Sequence, residues 1–140
     1  MRGWHNESMR HSLAARGMKT KYIYHGTGTD RIDSIRKRGL NPKSKKCHED
    51  THECVYLVTD IESAEEWAYI GLAHRWIDDG HPVILRVKRK DLDRLGILYD
   101  DRNYPEVQVP MNGESYEFFE TIPPEIIEIR GNDGEWRVLG

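Results

Sequence analysis

Three residues far apart in this chain carry side chains that could work on one ligand: an imidazole at His25, a phenol at Tyr56 and a carboxylate at Glu117. His25 lies in the stretch Tyr22 to Thr29, which reads YIYHGTGT. A short apolar run ends there in a polar His-Gly-Thr corner, and a helix signal follows at once. Strand, polar corner, then helix is where α/β-type folds place ligand chemistry. An imidazole can hydrogen-bond a sugar hydroxyl, Gly26 lets a ligand approach the backbone closely, and Thr27 adds a hydroxyl. Tyr56 sits in the apolar segment Cys54 to Val58, CVYLV. The carboxylates Glu114, Glu117 and Glu120 crowd into ESYEFFE. Residues two apart on a strand share a face, so Glu117 goes with Ser115 and Phe119, while Glu120 goes with Tyr116 and Phe118. Position alone does not choose among the three. Glu117 is preferred because it lies inside the strand rather than beside the turn.

Strands and helices must hold these groups. Lys21 to His25 reads as a strand of good strand formers, Tyr22, Ile23 and Tyr24. Thr29 or Asp30 can cap a helix with Ile32 and Ile35 on one face, and Gly39 stops it ahead of Asn41-Pro42. A charged loop over 43–53 precedes the strand of Tyr56. Asp60 caps the longest helix, predicted over roughly 61–79, with Ala64, Trp67, Ala68, Gly71, Leu72 and Trp76 as its apolar face and Gly80 as its terminator. Its first turn, near Ala64 and Trp67, can also border a ligand held at the end of the preceding strand. Pro82 to Val87 is a strong central strand, Asp91 to Leu95 one helical turn, Gly96 to Tyr99 a short strand and Asp100 to Tyr104 a loop. Val107 to Val109 and Tyr116 to Thr121 read as strands around an Asn112-Gly113 turn. The breaker Ile122-Pro123-Pro124-Glu125 precedes a strand with Ile126, Ile127 and Ile129, and Asn132-Asp133-Gly134 turns the chain into a last short strand at Glu135 to Leu139. This order predicts an α+β fold of many short, largely antiparallel strands rather than a doubly wound sheet.

The chain has 140 residues, the size of one domain, divided here into a basic arm over 1–20 and a folded domain over 21–140. A net charge of −3 excludes a global basic field. The arm region is nevertheless basic: Arg2, Arg10, Arg16, Lys19 and Lys21 face Glu7 alone, which suits an anionic partner such as nucleic acid. No apolar run approaches the roughly 18 residues of a membrane span, and the N-terminus has no signal-peptide core. A soluble, cytoplasmic protein with no membrane partner is the expectation.

In this order, YHGT with a helix ending in RGL-NP, VYL-TD with a helix carrying Ala64 and Ala68, and ESYEFFETIPPE resemble the His-Tyr-Glu class of ADP-ribosyltransferases. That class includes diphtheria-type toxins and poly(ADP-ribose) polymerases. The resemblance covers roughly residues 21 to 130 and implies a split core of two small, mostly antiparallel sheets with two or three flanking helices, and an NAD+ cleft between the sheets. It implies that His25 bonds the nicotinamide-side ribose, Gly26 holds the carboxamide through its backbone, Thr27 adds a hydroxyl, and Tyr56 stacks on the nicotinamide. It places the catalytic glutamate under the anomeric carbon. The chemistry is coherent: breaking the ribosyl–nicotinamide bond builds positive charge on the sugar, which a fixed carboxylate stabilises. An aromatic face suits a flat, cationic pyridinium. The implied activity is mono-ADP-ribosyl transfer from NAD+ to a nucleic acid or protein, with release of nicotinamide; a toxin-like role would add an antitoxin as partner. Arginine-modifying relatives carry an acid two residues before the glutamate. Ser115 stands there relative to Glu117 and Phe118 relative to Glu120, which argues against arginine as acceptor.

Two alternatives share this architecture. The RNA 2′-phosphotransferase family has similar YHGT, VYLT and PPE segments, works with a histidine and flanking arginines, and would transfer phosphate from 2′-phosphorylated RNA to NAD+. Its aliphatic residue in place of the glutamate, and Tyr56 here, argue the other way. A binding module that kept the cleft and lost the chemistry would bind NAD+ or ADP-ribose only. Elsewhere, Cys47, His48, His52 and Cys54 are Zn2+-competent types, yet eight residues leave little room to wrap a tetrahedron, so no metal site is assigned. Asp100, Asp101 and Glu106 read as loop acids.

Overall fold

Short β-branched and aromatic segments need a partner on each edge, and here they find one another in a single sheet. The protein is described from a computed structural model that covers residues 20–42, 54–100 and 114–140. Strand β1 (Tyr22–Gly28) passes through a 3-10 turn (Thr29–Arg31) into helix α1 (Ile32–Arg38). Strand β2 (Val55–Val58) leads into α2 (Ile61–His74), and β3 (Pro82–Lys88) into α3 (Arg89–Leu95). Then come β4 (Tyr99–Asp100), β5 (Ser115–Phe118), a second 3-10 turn (Pro124–Ile126), β6 (Glu128–Arg130) and β7 (Trp136–Val138). All strand pairs are antiparallel, in the order β4-β5-β2-β1-β3-β6-β7. The α+β class stands.

The two small sheets of the sequence reading are one continuous seven-stranded sheet among the described residues. The reason is that β1 pairs on both edges. Every residue of β1 has a partner on β3, from Tyr22 opposite Lys88 to Gly28 opposite Pro82. Its register with β2 is a single pair, Tyr24 opposite Val58. The sheet is therefore two ladders, β4-β5-β2 and β1-β3-β6-β7, held by a narrow seam.

Alternation along each strand makes two faces. One carries Ile23, Leu57, Leu85, Val87, Tyr116 and Phe118, which build the main core with Ile35, Leu92 and Leu139. The other carries Tyr24, Val58 and Ile84, which pack beneath Ala64 of α2. The helix comes unusually close there: a Cβ at Gly26 would lie 1.7 Å from the Ala64 carbonyl oxygen. At Gly39 the backbone is left-handed (φ 76°), and a Cβ would meet the Ile122 carbonyl at 2.1 Å. That turn pairs Leu40 with Ile122 and ties α1 to the Pro-rich segment before β6.

Some boundaries differ from the sequence reading. Helix α2 ends at His74, well before Gly80. Trp76 takes the left-handed conformation (φ 58°) usually given to glycine, with Ile77 N–H bonding the Leu72 carbonyl at 3.0 Å and Trp76 N–H the Ala73 carbonyl at 3.2 Å. That is the paired-bond helix stop that a glycine scan overlooks. Asp100 is in β4, opposite Tyr116, not in a loop. The strand near β5 stops at Phe118 rather than Thr121. The arm over 1–19, the segment 43–53 with Cys47, His48 and His52, and 101–113 with Asp101, Glu106, the Val107–Val109 strand and Asn112-Gly113 lie outside the described residues.

Candidate functional site

His25 lies at the seam. Its Nδ1 is 2.8 Å from the Tyr56 carbonyl oxygen, so the imidazole joins β1 to β2 just past their one register pair. A carbonyl only accepts, so Nδ1 carries the proton and Nε2 is left with its lone pair. Burial lowers the imidazole from its ordinary 6.5; the bond to Tyr56 opposes this, and the charges of Arg31 and Arg75 push it down again. The ring is thus a neutral hydrogen-bond acceptor at physiological pH, held in one orientation.

The arginines come from the elements that follow β1 and α2. Arg31 ends the 3-10 turn, and Arg75 caps α2. Arg75 is fixed by a two-pronged pair with Asp30, Nε to Oδ2 and Nη2 to Oδ1 both at 2.9 Å. The bond from Arg75 holds the Asp30 carboxyl below the usual carboxylate range. The turn itself is anchored to the sheet: Thr29 N–H bonds the His81 carbonyl at 3.0 Å, and His81 N–H bonds Thr29 Oγ1 at 3.1 Å. Neither arginine was a candidate from sequence. Asp30 and Arg75 are 45 residues apart, and no spacing rule links a turn after one strand to the end of a later helix.

Tyr56 and Glu117 are direct register partners on β2 and β5, and Tyr99 of β4 faces Glu117 from the other side. Directly opposed residues share a face with Cβ atoms about 5 Å apart. The Glu117 side chain is completely buried, whereas Glu114 and Glu120 are exposed. Glu114 accepts a 2.8 Å hydrogen bond from the Tyr116 hydroxyl. Tyr116 is pushed above the ordinary phenol range, first by burial and then by that carboxylate. Trp67 stacks on Tyr56 at 6.5 Å between centroids and 20° between planes.

The structure brings His25 and Tyr56 to the seam and Glu117 one strand beyond it, but not in the arrangement of three side chains ringing one space. Alternation sends Tyr56 and Glu117 to the α2 face and His25 towards the main-core face, and His25 meets the backbone of Tyr56 rather than its ring. Two other candidates are buried. Ala64 is wholly buried against Gly26, so it borders the helix–sheet contact. Thr27 is buried opposite Val83.

Among the described residues, no His, Cys, Asp and Glu group is placed to hold a metal ion, and no helix is long and apolar enough to cross a membrane. No family model matches the chain. Over 79 residues, 56% of this chain, it is 32% identical to a probable RNA 2′-phosphotransferase of Lacticaseibacillus paracasei, and 30% identical over the same length to one of Pectobacterium carotovorum subsp. carotovorum. The matched part is 35% and 34% of those two proteins, so the chain spans about a third of the length of the curated relatives it matches. What it is similar to, over that stretch, is a probable RNA 2′-phosphotransferase.

Proposed function

We propose that the chain is an NAD+-using transferase of the RNA 2′-phosphotransferase kind, moving a phosphate from the 2′ position of RNA to NAD+. The observation that carries this reading is His25: neutral, fixed through Nδ1, and flanked by the charges of Arg31 and Arg75. The partial similarity to probable RNA 2′-phosphotransferases supports it. In this reading the unprotonated Nε2 accepts a hydrogen bond from a hydroxyl of the nicotinamide-side ribose. Arg31 and Arg75 hold the phosphate beside it, the second of them pre-oriented by Asp30. Guanidinium groups suit this task because they stay charged while the neighbouring imidazole stays neutral.

ADP-ribosyl transfer is the second reading, favoured by one feature: a carboxylate, Glu117, directly opposite Tyr56. The two readings diverge in one reaction. The chain is incubated with NAD+ and a single-stranded RNA bearing one internal 2′-phosphate, and the RNA mass and nicotinamide are followed. Conversion of the 2′-phosphate to a 2′-hydroxyl supports phosphate transfer. An intact phosphate with ADP-ribose added to RNA or protein supports the second reading. NAD+ binding with neither product would make the chain a binding module. His25→Ala is expected to cut phosphate transfer about 100-fold or more. Glu117→Gln, close to isosteric, leaves phosphate transfer intact in the first reading and lowers ADP-ribosyl transfer about 100-fold or more in the second.

A further inference from the structure

On the α2 face, β1 and β3 extend past the helix start, and there the sheet presents a cation between aromatic rings. The Arg86 guanidinium lies 3.9 Å from the Tyr22 ring centroid and 4.3 Å from that of Trp136, with its Nε 2.8 Å from Glu128. Tyr22, Arg86 and Trp136 are all half-exposed. Two lysines adjoin this stack and a third follows in the chain. Lys88 is the register partner of Tyr22, Lys21 has its Nζ 5.7 Å from the Tyr22 ring centroid, and Lys90 lies in the first turn of α3. A bond from Arg89 N–H to the Lys21 carbonyl at 2.9 Å brings the two basic runs together.

The charge balance of this corner is lopsided. Glu128 answers Arg86, Asp93 answers Arg89 and Asp91 answers Arg94. Among the described residues Lys21, Lys88 and Lys90 form no ion pair. Three lysines without an ion pair among the described residues thus lie together in sequence and register, on a chain whose net charge is −3. The sequence that precedes Lys21 is itself basic, with Arg10, Arg16 and Lys19. Along β1, Tyr22 is three residues from His25, about 10 Å, and on the opposite face of the sheet.

We propose that this corner binds single-stranded RNA, the lysines taking backbone phosphates and Trp136 stacking a base. Aromatic faces interleaved with basic side chains are the recurring device for single strands, because every base has a stackable face. The inference rests on the reading that the chain acts on RNA, so its test is kept apart from catalysis. Binding of a fluorescent single-stranded oligoribonucleotide without 2′-phosphate is measured by anisotropy, without NAD+, over a series of salt concentrations. For the double variant Lys88→Gln, Lys90→Gln the slope of log K against log salt should shrink by roughly 1.4, and affinity at 0.1 M salt should fall about 25-fold if the 1 M values agree. Trp136→Ala should lower affinity about fivefold or more with the slope unchanged, and Trp136→Phe should restore much of it. No binding by the parent chain, binding indifferent to the lysine pair, or equal binding of polyglutamate would overturn the assignment. RNA binding that follows the variants, in a chain that transfers no phosphate, would uphold this surface and remove the proposed reaction.

Discussion

His25 sets the behaviour of the site at the level of one residue. Its folded pKa is depressed mainly by burial, whereas in the unfolded chain it returns to about 6.5. Below that value the unfolded chain takes up a proton that the folded chain resists, so acid favours unfolding. The His25 contribution to stability is complete above pH 6.5 and is lost as pH falls below it towards the lower folded value. Chemical-denaturation midpoints measured from pH 7.5 to 5 should therefore fall for the parent chain and fall less for His25→Gln; parallel curves would mean that the imidazole is not desolvated as described. The histidine was legible in the sequence because Tyr24-His25-Gly26-Thr27 is contiguous and stands at a strand end. The arginines were not, because Arg31 is brought round by the 3-10 turn after β1 and Arg75 only by the path of α2 along β1. Glu117 was chosen over its neighbours for lying inside the strand. Burial separates it from Glu114 and Glu120 as well, which alternation alone could not do.

Helix α2 is the element that positions most of this. It starts on Asp60, whose Oδ2 accepts from Ser63 N–H at 3.2 Å, lies on Gly26 through Ala64 and Ala68, and delivers Arg75 to Asp30. The start was legible from the Asp cap and the Ala-rich face. The end was not: Trp76 holds φ 58°, a conformation that costs an L-residue roughly 1–2 kcal/mol, and the residue is 87% exposed. Trp76→Gly should raise stability by about 0.5–1 kcal/mol, part of the relief being offset by the greater entropy of unfolded glycine. A lower melting midpoint would show that the tryptophan ring contributes more than its backbone loses. At the other end, Gly26→Ala should destabilise the chain by about 3 kcal/mol, the upper end for overpacking, since the obstacle is the Ala64 backbone rather than a movable side chain. Loss of NAD+ binding with unchanged stability would instead point to a ligand against that glycine.

Among the described residues the sheet pairs most narrowly between β1 and β2. Outward from β1 the ladder to β3 is complete, but towards β2 it is one register pair and one imidazole bond. A shared core of Ile23, Leu57, Leu85 and Tyr116 on one face still holds the halves together, so the seam is narrow without being a hinge. The sequence indicated short antiparallel strands but not whether they close into one sheet or two, because β1 reads the same whichever edge is paired. Local opening follows the weakest line of bonds. Amide exchange should thus be slowest in the β1–β3 ladder and faster in β2 and β5. NAD+ bound at the seam would bridge the two ladders, so it should slow exchange in β2 and β5 more than in β6 and β7, which lie on the far side of β3. Protection confined to β6 and β7, or spread evenly through the sheet, would place the dinucleotide elsewhere and detach His25 from its proposed role, whatever the RNA-binding corner does.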